Sequence, residues 1–222
     1  MAAYRGRSTQ SLGSMKPVAA PRLEGALRAH FAPSLRSDGF VGSGRTYRRT
    51  IRGWLQIVNV QGSRYGGKFA VNLAVHPLSI LDVLGHEPDA KKMTEPLCEY
   101  RGRMSPAGSD HWWEHDGTQE SMNLAARSAA DVYVEFGRPV LSALADPLSP
   151  LETVKAADFE AGAFEFLGLG STSVRMALSL ARLRKAQGNL PESRAFALVG
   201  LARIGRAEGL RSKFLELCAD EA

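Results

Sequence analysis

The amino-acid sequence predicts an α+β protein: an antiparallel sheet of about four strands, flanked by helices and followed by a C-terminal helical extension. Two observations predict this class. Strand-like runs with alternating side-chain character follow one another through residues 45–76, and the connections between them are too short for a parallel crossover. Through residues 118–217, by contrast, apolar side chains recur at steps of three and four, which is the helical period.

The first predicted helix covers residues 21–31, with Leu23 and Leu27 on one face, and Pro33 is expected to end it. A glycine-rich loop over residues 38–44 then leads into the sheet. The clearest strand pattern is the one that places Val71 and Leu73 on one side and Asn72 on the other. The predicted strands cover residues 45–51, 54–61, 68–76 and 97–104.

A long helix is predicted to begin after Thr118, whose side chain is a suitable N-cap, and to break or kink at Gly137 and Pro139. Shorter helical patterns follow, and they continue to Leu217. The predicted organisation is a flexible basic tail over residues 1–20, an α+β domain over residues 21–160 and a helical extension over residues 161–222.

Composition excludes several classes of protein. No apolar run approaches the roughly 18 residues that a membrane span needs, and residues 1–20 lack the apolar core of a secretory signal. Two cysteines, Cys98 and Cys218, supply neither a disulfide scaffold nor a paired metal motif. The sequence therefore predicts reduced thiols in a cytoplasmic protein that does not enter a membrane.

Positive charge is concentrated in the first third of the chain. Residues 1–70 contain twelve Lys and Arg residues against two acidic ones, although the whole chain carries a net charge of only +5. Such a region can attract nucleic acid, anionic lipid or an acidic protein surface. An ordinary solvated, arginine-rich surface is the alternative that the composition favours, because such charge bias is common.

Signatures of catalysis are weak. His111 and His115 lie four residues apart, but Trp112 stands where a zinc protease has its glutamate. Cys98 lies in a predicted strand, where a packed thiol is the commoner role. The glycines of residues 62–67 connect strand to strand, which is typical of a hairpin and not of a phosphate-binding loop. The sequence thus predicts no catalytic residue, no metal site and no cofactor.

A binding surface is the better-supported prediction. Asn59, Gln61 and Asn72 form an amide cluster that either orders the sheet through hydrogen bonds or lines a concave face for a ligand or partner. A basic group with interleaved aromatic residues surrounds this cluster, and it is typical of protein interfaces and of single-stranded nucleic-acid sites. Its members are Arg45, Tyr47, Arg48, Arg49, Arg52, Trp54, Arg64, Tyr65 and Lys68. We expect these twelve side chains to converge on one surface at an edge of the sheet.

Short motifs occur in a characteristic order: the Gly-Arg-Thr-Tyr-Arg-Arg run of residues 44–49, Asn-Val-Gln at 59–61, Phe-Ala-Val-Asn-Leu at 69–73, Cys-Glu-Tyr-Arg-Gly-Arg at 98–103 and the Trp pair at 112–113. In these motifs the sequence resembles a bacterial domain-of-unknown-function family, four-three-zero-four in its series, over roughly residues 20–145. The resemblance implies an α+β fold and a bacterial cytoplasmic setting. It brings no established catalytic residues.

These observations favour a non-enzymatic binding protein that contacts a protein partner in the manner of an immunity or accessory protein. A nucleic-acid-binding protein that uses the same surface is the second hypothesis. A metal-dependent enzyme that uses the region of His111 and His115 is the third.

Overall fold

A computed structural model describes residues 22–106 and 110–219, so the predicted tail at residues 1–20 lies outside it. Within the described residues one six-stranded antiparallel sheet has the order β1-β2-β3-β4-β5, and β6 pairs with β4. The strands are β1 (Val41–Ser43), β2 (Thr46–Ile51), β3 (Trp54–Gly62), β4 (Lys68–Pro77), β5 (Tyr100–Arg103) and β6 (Trp113–Glu114). The predicted α+β class is confirmed. The two additional strands, β1 and β6, are too short to show an alternating pattern.

The pairing of β3 with β4 forms the centre of the sheet. Its register runs from Trp54 opposite Pro77 to Gly62 opposite Phe69. Because successive side chains point to opposite sides of a strand, this register places Val58 beside Leu73 on one face. That face packs against helices in the main hydrophobic core. We call it the helix-covered face and the other side of the sheet the second face.

Helices precede and follow the sheet, and in the described part of the chain none has the length and apolar composition needed to cross a bilayer. Thr118 caps the helix that follows it, as the sequence predicts, since its side chain accepts a hydrogen bond from the backbone N–H of Ser121. The helices are α1 (Leu23–Ala26), α2 (Ala32–Ser37), α3 (Gln119–Val132), α4 (Arg138–Leu144), α5 (Pro150–Thr153), α6 (Ala156–Ala161), α7 (Ser173–Ala186), α8 (Leu190–Ala202) and α9 (Arg211–Ala219).

Pro33 does not end the first helix, so that prediction was wrong. A π-helical turn at Leu27–Phe31 joins α1 to α2, and Pro33 lies in the first turn of α2. The wider turn interrupts the regular hydrogen-bond ladder just before the residue that has no N–H to donate. The predicted interruption at Pro139 has the same form, because a second π-helical turn, Tyr133–Gly137, joins α3 to α4.

The C-terminal helices share the core of the sheet. Ser179 on α7 hydrogen-bonds the buried hydroxyl of Tyr100 on β5 at 2.9 Å. On the same helix the buried Arg184 donates to the backbone carbonyls of Leu151 and Val154 at 3.1 and 2.9 Å. The predicted division of the chain after residue 160 stays a prediction, because a shared core does not test whether either part folds alone.

Gly200 lies where α8 and α9 approach each other closely. A Cβ atom at this position would overlap the buried ring of Phe214, whereas a Cβ at Gly25 in α1 would meet nothing within 4 Å. We expect Gly200→Ala to lower the free energy of unfolding by about 1–3 kcal/mol through overpacking. Gly25→Ala is the control and should raise it by about 0.5–1 kcal/mol. Urea unfolding measures both, and equal stabilities for the two variants would contradict this packing.

Candidate functional site

Three of the predicted binding residues lie on the helix-covered face. Tyr47 and Trp54 are buried there, and the indole N–H of Trp54 donates to Glu152 at 2.8 Å. Arg49 donates to the side-chain oxygen of Gln56 at 2.7 Å and to the backbone carbonyl of Asp38 at 2.6 Å. All three side chains hold the sheet to its helices, and none of them belongs to an open surface.

The second face is covered along half of its length. Leu55, Ile57 and Ala74 pack there against Met93 and Cys98, which belong to the segment between β4 and β5. Arg48 also lies on this half, where its Nε atom donates to the backbone carbonyl of Met93 at 2.7 Å. Burial raises the pKa of the Cys98 thiol far above its usual range. Cys98 is therefore a protonated packing residue, unsuited to nucleophilic attack.

The amide cluster lies at the other end of the second face, where Asn72 is buried, Asn59 is half-buried and Gln61 is exposed. Asn59 and Asn72 stand directly opposite each other across β3 and β4. The Asn72 amide donates to the side-chain oxygen of Gln61 at 3.1 Å, and the Asn59 amide donates to the Thr46 hydroxyl at 3.0 Å. The cluster thus orders this part of the sheet, while the Gln61 side chain remains exposed at its border.

Two residues that the sequence analysis did not select complete this surface. Arg103 donates to the same Gln61 oxygen at 3.1 Å and lies 2.9 Å from a carboxylate oxygen of Asp110. Its guanidinium carbon lies 4.7 Å from the centre of the Trp112 ring, and the Lys68 ammonium lies 5.2 Å from the same centre. We call this region the open end of the second face. It consists of Asn59, Gln61, Lys68, Asn72, Arg103 and Trp112.

The alternation of side chains along a strand could have placed both Arg103 and Trp112 on the second face. Arg103 alternates with Gly102, and the register of β5 on β4 places Arg103 opposite Asn72. Trp113 is buried against Phe69 in the main core, so its neighbour Trp112 must project to the other side. What the sequence did not show is that β5 and β6 both pair with β4.

The remaining predicted residues lie in turns. Arg45 pairs with Glu24 at 2.8 Å beside the start of β2. Arg64 stacks on Tyr65 at 4.6 Å in the β3–β4 hairpin, where the Tyr65 side chain is 82% exposed. Arg52 occupies the β2–β3 turn at the far end of β3, and about 30 Å of extended strand separates it from the hairpin. The twelve predicted residues therefore divide among two faces and three turns.

His111 and His115 flank β6 and do not share a helix face. His111 packs edge-on against Trp113 at 4.4 Å, and the backbone N–H of His115 donates to the Gly67 carbonyl at 2.8 Å. Among residues 22–106 and 110–219, no three His, Cys, Asp or Glu side chains gather as they would around a metal ion. The glycine-rich segment that follows β3 is a hairpin loop leading into β4, as its strand-to-strand position predicts.

Comparisons with known proteins give one match. A family model described as a domain of unknown function (DUF4304) matches residues 31–141, which is 111 of the 222 residues. The matched region includes all six strands, α3 and most of α4. No curated protein and no solved structure matches the chain.

The contacts of Arg49 and Lys68 predict a large loss of stability when Arg49 is replaced and almost none when Lys68 is replaced. Arg49→Met removes two hydrogen bonds from a charged donor and should lower the free energy of unfolding by about 2–3 kcal/mol. Lys68→Met removes a half-exposed charge from the open end and should change it by less than about 0.5 kcal/mol. Urea unfolding of both variants compares them directly. A large loss for Lys68→Met would show that the open end also holds the fold together.

His76 lies on the covered half of the second face, and its burial should make the stability of the fold depend on pH. Its ring is fully buried, accepts the Glu99 backbone N–H at Nδ1 (3.4 Å) and contacts the Ile80 carbonyl through Nε2 (3.1 Å). Burial lowers the pKa of His76 below its ordinary value of 6.5. The fold therefore favours neutral imidazole, and its stability should fall as the pH drops below about 6.5.

Unfolding free energies measured from about pH 8 to about pH 5 test this, with His76→Gln as the comparison. The wild-type curve should fall more steeply towards acid than the variant curve, because only the wild type takes up a proton on this ring when it unfolds. Burial raises the pKa of Glu99, which acts in the opposite direction, but that group is present in both proteins. Parallel curves would contradict the role of His76.

Proposed function

Because the chain belongs to the family described as a domain of unknown function (DUF4304), whose description names no reaction, we propose a function from its surface: non-enzymatic binding of a protein partner. The proposed contact region is the open end of the second face, extended by Arg64 and Tyr65 in the neighbouring hairpin. We propose a bacterial cytoplasmic setting and an immunity-like or accessory role.

The observation that supports this proposal most strongly is the stacking around Trp112. Lys68 and Arg103 both lie over its ring, and Arg103 is also fixed by Gln61 and Asp110. Side chains that are already ordered lose little conformational entropy when a partner binds. Arginine and tryptophan are also among the residues that most often dominate binding energy at protein interfaces.

The charge of the region favours an acidic partner surface. Arg64, Lys68 and Arg103 supply three cationic groups, and two exposed carboxylates, Asp110 and Glu114 opposite Lys68, offset part of that charge. Complementary charge across an interface speeds encounter and disfavours wrong partners. A carboxylate of the partner would compete with Asp110 for Arg103, and an aromatic or aliphatic side chain would pack on Tyr65.

Single-stranded nucleic acid is the second candidate, and one feature favours it. Tyr65 is 82% exposed beside Arg64, and a base can stack on such a residue while the guanidinium meets a phosphate. Trp112 argues for protein instead, because Lys68 and Arg103 already lie over its ring.

A binding experiment separates the two candidates. A fluorescein-labelled acidic peptide that contains leucine and phenylalanine is compared with a labelled oligothymidylate of about equal charge, both by fluorescence anisotropy. We expect the peptide to bind more tightly and Arg103→Gln to weaken it roughly tenfold, which corresponds to the loss of one charge-assisted hydrogen bond. Arg52→Gln is the matched control and should leave binding unchanged, because Arg52 lies at the far end of β3.

The outcomes are distinct. Tighter binding of the oligothymidylate, lost in Tyr65→Ala, would replace the protein partner with nucleic acid. Binding of neither probe, or equal losses in Arg103→Gln and Arg52→Gln, would remove the open end as a contact region for acidic partners.

A further inference from the structure

A cavity lies beyond the other end of β4, away from the open end. The segment that follows β4 and the helices α7 and α9 line a partly open cavity of about 690 Å³. Small-molecule sites in proteins commonly have volumes of about 300–1,000 Å³. Ile80, Leu81 and Leu217 give the cavity an apolar wall.

The charged groups of the cavity are arranged by depth. Arg182, Lys185 and Lys213 line it together with two carboxylates, Glu87 and Glu216. Both carboxylates belong to exposed residues, whereas Arg182 and Lys213 are half-buried. The more deeply placed charges are therefore positive. A neutral ligand that covered Arg182 and Lys213 would displace water from both cations and offer no negative charge in its place, which is costly.

Glu99 forms an ion pair with Arg182 on the side away from the cavity. Its carboxylate lies 3.5 Å from the Arg182 guanidinium, and its side chain is only 5% exposed. Burial raises the pKa of Glu99, while Arg182 opposes that rise. Glu99 is not itself part of the cavity lining. It thus orients Arg182 towards the cavity and shares part of its charge.

We propose that this cavity binds a small organic anion, a carboxylate or a phosphate monoester, with its charged end at Arg182 and Lys213 and its carbon part on Leu81 and Leu217. The inference is independent of the proposed protein partner, because the two sites share no residue. Arginine suits such a ligand because its guanidinium matches the geometry of carboxylate and phosphate oxygens.

Isothermal titration calorimetry with benzoate and with phenyl phosphate tests the site in the full chain, and phenol serves as the uncharged comparison. At least one anion should bind more tightly than phenol. Lys213→Met should weaken that anion roughly tenfold, as expected for one lost charge-assisted contact. Lys91→Met removes the same charge from an exposed position outside the cavity and should have no effect.

Glu99→Gln supplies a test in which the affinity for the anion should rise instead of fall. Removal of the carboxylate leaves the Arg182 charge to the ligand alone, so anion affinity should rise severalfold, whereas a variant that merely disturbed the structure would bind less well. The proposal fails if neither anion binds, if phenol binds equally well, or if Lys213→Met and Lys91→Met reduce affinity by the same factor. Lys213→Met decides the matter alone if Glu99→Gln does not fold.

Discussion

The register of β3 on β4 decides which side chains this protein can offer to a partner. Two long neighbouring strands place Val58 and Leu73 side by side under the helices, and the pleat then forces Asn59 and Asn72 to the opposite side. A slip of one residue would bury the amides and expose the valines. The apolar face therefore fixes the position of every polar group on the second face.

The second face serves two purposes along its length. One half is covered by the segment that contains Met93 and Cys98, where Arg48 joins that cover to β2. The other half carries an ordered polar network around Gln61, in which side chains bind one another and still border solvent. The amide cluster is thus structural in its contacts, and the cations stacked on Trp112 are the part that we propose meets a partner.

Sequence reasoning predicted the fold well where a local pattern existed. The alternation in β4 and the N-cap at Thr118 were sufficient to predict a strand and a helix start. It failed at Pro33, because a π-helical turn depends on tertiary packing and has no simple local signature. The C-terminal helices were predicted as elements. No local pattern showed that α7 and α9 would lie side by side and line the cavity of Arg182 and Lys213.

The candidate site was harder to predict than the fold. Grouping basic and aromatic residues by proximity in sequence joined Tyr47 and Arg49, which face the helices, with Lys68, which does not. It also omitted Arg103 and Trp112, which are distant in sequence and reach the site only through the pairing of β5 and β6 with β4. Strand alternation sorts side chains by face, but strand order depends on contacts between distant parts of the chain.

We propose that the open end of the second face contacts a protein, and photo-crosslinking in cells tests this most directly. A benzophenone amino acid replaces Tyr65 in one variant and Leu148 in another, since both side chains are 82% exposed in the structure and Leu148 lies outside the proposed region. We expect a discrete crosslinked protein with an acidic surface from position 65, lost when Lys68→Glu is added, and none from position 148. The same products from both positions, or crosslinks at position 65 that persist with Lys68→Glu, would contradict it.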